Sequence, residues 1–262
     1  MKPLNLFILL TFVLFIFGFG ITGILISLDS PEYLIVLMQI IMAWTPTIAF
    51  AIIHRRVDPG RSIWRFIMDQ FSTPIRLLPL LASIFIPVIA TIIIWIGYSV
   101  VSGQPLFDLV AKVSIGSILV MFLDSLIRGP LGEEIGWRAY LQIEFNKRFS
   151  LLKSSLIVGS IWGVWHFPLW FVSGVQGLNL VLYILFFLIG LISFSVIIGI
   201  IFTRGGNLLY AILLHQMLNF AGRLLEIDEL IVLGGSSAVY VIIALMISLM
   251  TLRSVRKAAA VI

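Results

Sequence analysis

The sequence predicts an all-α, polytopic membrane protein: a bundle of about eight transmembrane helices with both termini in the cytoplasm, forming a single integral-membrane domain over 1–262. Three observations predict it. Of the 262 residues, 61% are hydrophobic and only 11% charged, whereas a soluble domain carries about 25% charge and does not leave so much apolar side chain facing water. The apolar residues gather in runs of the roughly 20 residues that a bilayer-crossing helix needs. Lys and Arg gather in alternate connections between those runs, as the positive-inside rule requires. Composition therefore excludes a soluble enzyme, a disordered chain and a nucleic-acid binder, although the net charge is +5. No cysteine is present, which removes disulfides, thiolate nucleophiles and Cys-based metal sites.

Each element follows in order. The run 4–28 is about 25 residues long against 7–15 for a cleavable signal core, and is expected as a retained helix. The next span is 33–54. The connection 55–76 is basic, interleaves Trp64 and Phe66, and is expected on the membrane surface. Spans 77–101, 154–173, 178–202 and 236–252 are plainly apolar, while 112–146 and 205–222 carry polar residues. The stretch 112–146 is too long for one simple span and is interrupted at Gly129-Pro130, because proline disfavours helix at the residue before it. With eight crossings one side receives Lys2, Arg55, Arg56, Arg61, Arg65, Arg76, Lys147, Arg148, Lys153, Arg204, Arg253, Arg256 and Lys257. The other receives only Lys112 and Arg223, with Asp29, Glu32, Asp108, Glu226, Asp228 and Glu229. The basic side is the cytoplasmic one.

Ionisable residues at membrane depth mark function, and three clusters qualify. In Gly129-Pro130-Leu131-Gly132-Glu133-Glu134-Ile135-Gly136-Trp137-Arg138 the adjacent carboxylates point about 100° apart on a helix. Glu134 pairs with Arg138 at i,i+4, and Glu133 is left to face a cavity. The bland alternative is a charged helix end at the membrane surface. In Trp162-Gly163-Val164-Trp165-His166-Phe167-Pro168 a histidine sits where Pro168 frees a backbone carbonyl; alone it reads equally as a histidine bonding a neighbouring helix. His215 and Asn219 are i,i+4 and share one helical face, as a site or an interhelical pair would. Asp124 lies i,i+4 from Arg128 as a local ion pair, and His54 reads as an interfacial residue without a role. Glycines at 132 and 136, and at 159 and 163, provide small-residue faces for close helix approach.

Measured from the basic cytoplasmic ends, Glu133 lies roughly 21 Å inward, His166 roughly 20 Å, His215 roughly 16 Å and Asn219 roughly 22 Å. Helices of alternating direction thus bring all four to one level. A carboxylate withdrawn from bulk water is a good acceptor for a water proton, an imidazole can orient that water, and two donors on one helical face can hold an oxyanion. No H-E-x-x-H zinc-peptidase signature occurs. This set suits amide hydrolysis by activated water without a covalent intermediate.

The three motifs, in this order over roughly 113–222, resemble the CPBP family of intramembrane glutamic endopeptidases. This is also called the Abi or CAAX-protease family and includes the Rce1-like type II CAAX prenyl endopeptidases. Glu133-Glu134-x-x-x-Arg138, His166 and His215-x-x-x-Asn219 carry the resemblance; Ala139 departs from it, standing where the family usually has glycine. The resemblance implies an eight-helix bundle with a polar chamber opening to the cytoplasm. It implies Glu133 as the base, assisted by His166, with His215 and Asn219 as the oxyanion site and Glu134 and Arg138 in support. No cofactor is expected, with a divalent metal such as zinc on Glu133, His166 and His215 as the open alternative. The substrate class is a membrane-associated peptide or lipidated protein, including a prenylated CAAX-type protein, cut near the cytoplasmic surface of the membrane by a self-sufficient monomer. A non-catalytic immunity or peptide-binding protein on the same fold is the alternative. A proton-relaying transporter fits less well, since its paired repeats are missing from the first half.

Overall fold

The computed structural model describes residues 1–259, with side chains to Arg253, so the basic side chains of Arg256 and Lys257 fall outside the described set. The helices are α1 (Pro3–Ser27), α2 (Glu32–Ala43), α3 (Thr45–Val57), α4 (Ile63–Asp69), α5 (Leu77–Ser102), α6 (Ile115–Ile127), α7 (Pro130–Glu134), α8 (Ile143–Asn146), α9 (Leu151–Trp165), α10 (Phe167–Trp170), α11 (Gly177–Gly205), α12 (Leu209–Ala221) and α13 (Glu229–Ala259). A π-helical segment, Ile135–Gln142, joins α7 to α8. Among the described residues the β pairing is confined to one isolated bridge, Val110 to Leu225. In lipid the backbone must satisfy itself, and helices do so.

Among the described residues five helical stretches are long and apolar enough to cross a membrane, Ile115–Asn146 counting as one, and the bent pair α2–α3 makes a sixth. The expected eight therefore resolve into six plus two shorter pieces. The predicted span 154–173 is α9 with α10 after a break at His166, and 205–222 is the 13-residue α12. Both are shorter than a simple crossing needs, and both lie against neighbours: α9 packs on α11, and α12 on α5 and α11. The expected span 33–54 bends by 52° between α2 and α3, where Pro46 opens the second helix.

Packing is inverted relative to a soluble protein. Phe17, Leu78, Val100 and Met250 face outward, while Glu133, Glu134, Arg138, Gln142, Ser195 and Gln216 are buried. The central helix is α11, flanked by α9 and α13. It buries 50% of its apolar window, against 17–22% for the other long spans.

Two connections tie the ends of the bundle. At the basic end, Asn207 donates to the Phe71 and Thr73 carbonyls, and Arg76 to the Arg204 and Gly205 carbonyls. His54, expected to be interfacial, is instead buried. Its Nε2 lies 2.7 Å from the Arg61 carbonyl and its ring packs against Phe50 and Phe66, so it anchors the connection that carries α4. On α4, Phe66 packs inward while Trp64 is exposed. At the opposite end, the loops 103–114 and 222–228 pair through Ala111 N–H to the Leu224 carbonyl and Glu226 N–H to the Leu109 carbonyl.

Candidate active site

The broken span builds the site. Helix α6 stops at Ile127, whose carbonyl accepts from the Trp44 indole at 2.9 Å across the bend between α2 and α3. The chain restarts with Pro130 at the first turn of α7. Gly132 and Gly136 lie against Trp44 and Pro46 so tightly that a Cβ at either would fall 2.5–2.6 Å from those side chains. The small-residue face thus seats the two-glutamate segment in the bend of α2–α3. Downstream the backbone widens into the π segment, a rare geometry that concentrates at functional sites.

The two adjacent glutamates divide as their helical angle requires. Glu134 is fully buried and bridges two helices: Oε2 accepts from Arg138 Nε at 3.0 Å, and Oε1 lies 2.8 Å from His215 Nδ1. Arg138 extends the chain through the Ser195 hydroxyl at 2.8 Å, which donates to the Ser155 carbonyl at 3.0 Å. Its guanidinium carbon lies 5.0 Å from the centre of the Trp162 ring, a cation–π distance. Glu133 turns the other way. Its Oε2 accepts from the Trp162 indole at 2.7 Å and the Trp137 indole at 3.3 Å, and the residue lines a cavity.

His166 stands in the break after α9. Its Nδ1 donates to the Trp162 carbonyl at 2.8 Å, since a carbonyl only accepts, so Nε2 of the neutral ring is an acceptor. His215 and Asn219 do share one face of α12, and both line the cavity. A Cβ built on Gly129 would lie 2.7 Å from Asn219 Nδ2 and 3.7 Å from His215 Nε2. Asn219 Nδ2 and His215 Nε2 therefore lie on the same side of Gly129, next to the Ser125 carbonyl, where a side chain at 129 would displace the Asn219 amide. For Nε2 of His215 to donate there while Nδ1 is bonded to Glu134, the Glu134–His215 pair must hold one proton beyond those of a carboxylate and a neutral imidazole.

All four residues expected at one depth, Glu133, His166, His215 and Asn219, line one cavity of about 540 Å³. A second cavity of about 450 Å³ shares Glu133, His166 and Asn219. Asp124 pairs with Arg128 at 2.6 Å and also with Arg223 at 3.1 Å, and both arginines line both cavities. Among the described residues no group of three His, Asp or Glu side chains is arranged to hold a metal ion.

Sequence reasoning placed Gly129 and Trp137 in the first motif without a role at the site, and missed Ser195. Trp137 is i+4 from Glu133, a spacing that could have flagged it. Ser195 sits in a featureless apolar helix with no motif around it.

Residues 115–221 match the family described as type II CAAX prenyl endopeptidase Rce1-like, within two residues of the segment the three motifs delimit. The chain is also 27% identical over 236 residues to a CAAX prenyl protease 2 from Methanococcus maripaludis, covering 86% of each chain. Both matches are to proteases.

Proposed function

We propose, from the match of residues 115–221 to the Rce1-like family of type II CAAX prenyl endopeptidases, that this multi-pass membrane protease hydrolyses its substrate by glutamate-activated water. Glu133 takes a proton from a water in the cavity, and His166 Nε2 orients that water as an acceptor. The hydroxide adds to the scissile carbonyl. The oxyanion is held by His215 Nε2–H and the Asn219 amide. Glu133 then delivers its proton to the leaving amine as the carbon–nitrogen bond breaks.

The Trp137 and Trp162 indoles keep Glu133 aimed, and Glu134, braced by Arg138, keeps His215 aimed. The observation that carries the reading is that His215 and Asn219, from one face of α12, line the same cavity as Glu133 and His166. Preorganised donors of this kind supply a large share of catalysis in acyl transfer. The substrate class is a membrane-associated polypeptide, of which a prenylated CAAX-type protein is the member that the family match brings forward.

Purified protein in nanodiscs, offered a library of lipid-linked peptides with and without a strong chelator, tests this. Chelator-resistant cleavage that Glu133→Gln abolishes is expected. Chelator-sensitive cleavage would make a metal part of the site. No cleavage of any peptide, with Glu133→Gln still performing the protein's cellular role, would leave a binding or immunity protein.

A further inference from the structure

Five residues line both cavities: Glu133, His166 and Asn219, which take part in the proposed hydrolysis, and Arg128 and Arg223, which do not. The two arginines also sit close to the site along the chain. Arg128 immediately precedes Gly129, and Arg223 lies four residues past Asn219, roughly 6 Å along a helix.

Their charges are not balanced. Both guanidiniums bond to one carboxylate, that of Asp124, at 2.6 and 3.1 Å. The other carboxylates on these cavities are engaged elsewhere: Glu133 accepts from two indoles, and Glu229 from the Tyr183 hydroxyl. One positive charge is left over on a cavity wall inside a membrane protein, where ionisable groups ordinarily pair with one another. The arginines are also held in place. Arg128 donates Nη1 to the Gln39 side chain and Nη2 to Asp124. Arg223, its side chain 43% exposed, donates Nη1 to Asp124, and among the described residues its Nε and Nη2 have no protein acceptor. A fixed guanidinium with a free edge takes a carboxylate through two parallel hydrogen bonds.

Resting on the protease reading above, we infer that Arg128 and Arg223 form an anion subsite that takes the free C-terminal carboxylate of the substrate. An extended peptide rises about 3.3 Å per residue, so a carboxylate held there puts the scissile bond within the last few residues of the chain. The membrane-associated substrate is thereby one that presents its C-terminus, as a prenylated CAAX-type protein does, and an internal segment of a longer chain is a poor one.

The test compares two probes that differ in one group: a fluorescent peptide ending in a prenylated cysteine and three further residues, as the free acid and as the C-terminal amide. Binding of each is measured to the Glu133→Gln protein in phosphatidylcholine nanodiscs, against empty nanodiscs, so that cleavage does not intervene. The amide is expected to bind at least about tenfold more weakly, the range of hydrogen bonds to a charged group. Adding Arg223→Gln should weaken the acid to the level of the amide and leave the amide nearly unchanged. Arg223→Lys, which keeps the charge and loses the fork, should fall between. Equal binding of acid and amide would overturn the inference, and that comparison stands even if the variants at 223 fail to fold. So would equal weakening of both probes by Arg223→Gln. Arg223→Gln that alters only the response to added phosphatidylglycerol would assign the pair to a lipid headgroup instead. Wild type that selects the acid yet cuts no peptide would sink the protease reading and keep the subsite.

Discussion

The helices that carry the candidate site and the helices that surround it obey different rules. The surrounding α1, α5 and α13 are each at least 25 residues long, nearly uniform in apolarity, and turn most of their surface outward. The site-bearing pieces are short or broken: α7 has five residues, α9 fifteen and α12 thirteen, with a π segment and a proline break among them. Lipid-exposed backbone cannot be irregular, but backbone covered by other helices can. The long helices form that cover, and the irregular pieces inside it aim Glu133, His166, His215 and Asn219 at one cavity. Length and hydropathy thus describe the shell, and departures from them describe the site.

This contrast predicts effects of very different size. Glu133→Gln is expected to lower kcat by about 10²–10⁴-fold, the range of general-base catalysis, with the protein still folded by thermal unfolding in detergent. Arg138→Met leaves the Glu134 carboxylate buried without its guanidinium, and removing one member of such a pair costs about 3–5 kcal/mol; the melting temperature should fall sharply even before activity is assayed. Asn219→Ala removes one of the two proposed oxyanion donors and should cost about 10²–10³-fold in kcat with KM little changed. Gly129→Ala should resemble it, because the new methyl would stand 2.7 Å from Asn219 Nδ2. Phe17→Ala, on the outward face of α1, should shift stability by no more than about 0.5 kcal/mol and leave kcat alone. A large catalytic effect at Phe17 would break the division into shell and site.

The shell was legible because a lipid-facing helix announces itself in every window, and the spans 4–28, 77–101 and 178–202 correspond closely to α1, α5 and α11. The polar set of the site was legible for the same reason in reverse, since ionisable residues stand out in apolar runs. What could not be read was geometry fixed by contacts distant in sequence. The bend at Trp44 depends on how α7 seats in it. The burial of His54 depends on a turn that brings Arg61 back over α3. The chain from Arg138 to Ser195 and Ser155 joins three elements that no local pattern connects.

The central claim is that Glu133 acts on water in a cavity whose other residues are already in place. It is tested most directly by measuring kcat and peptide affinity together for wild type and Glu133→Gln on one cleavable peptide in nanodiscs. The account predicts binding of the peptide within a few-fold of wild type and a kcat lower by at least about 10²-fold. Cleavage by Glu133→Gln at a rate close to wild type would contradict it.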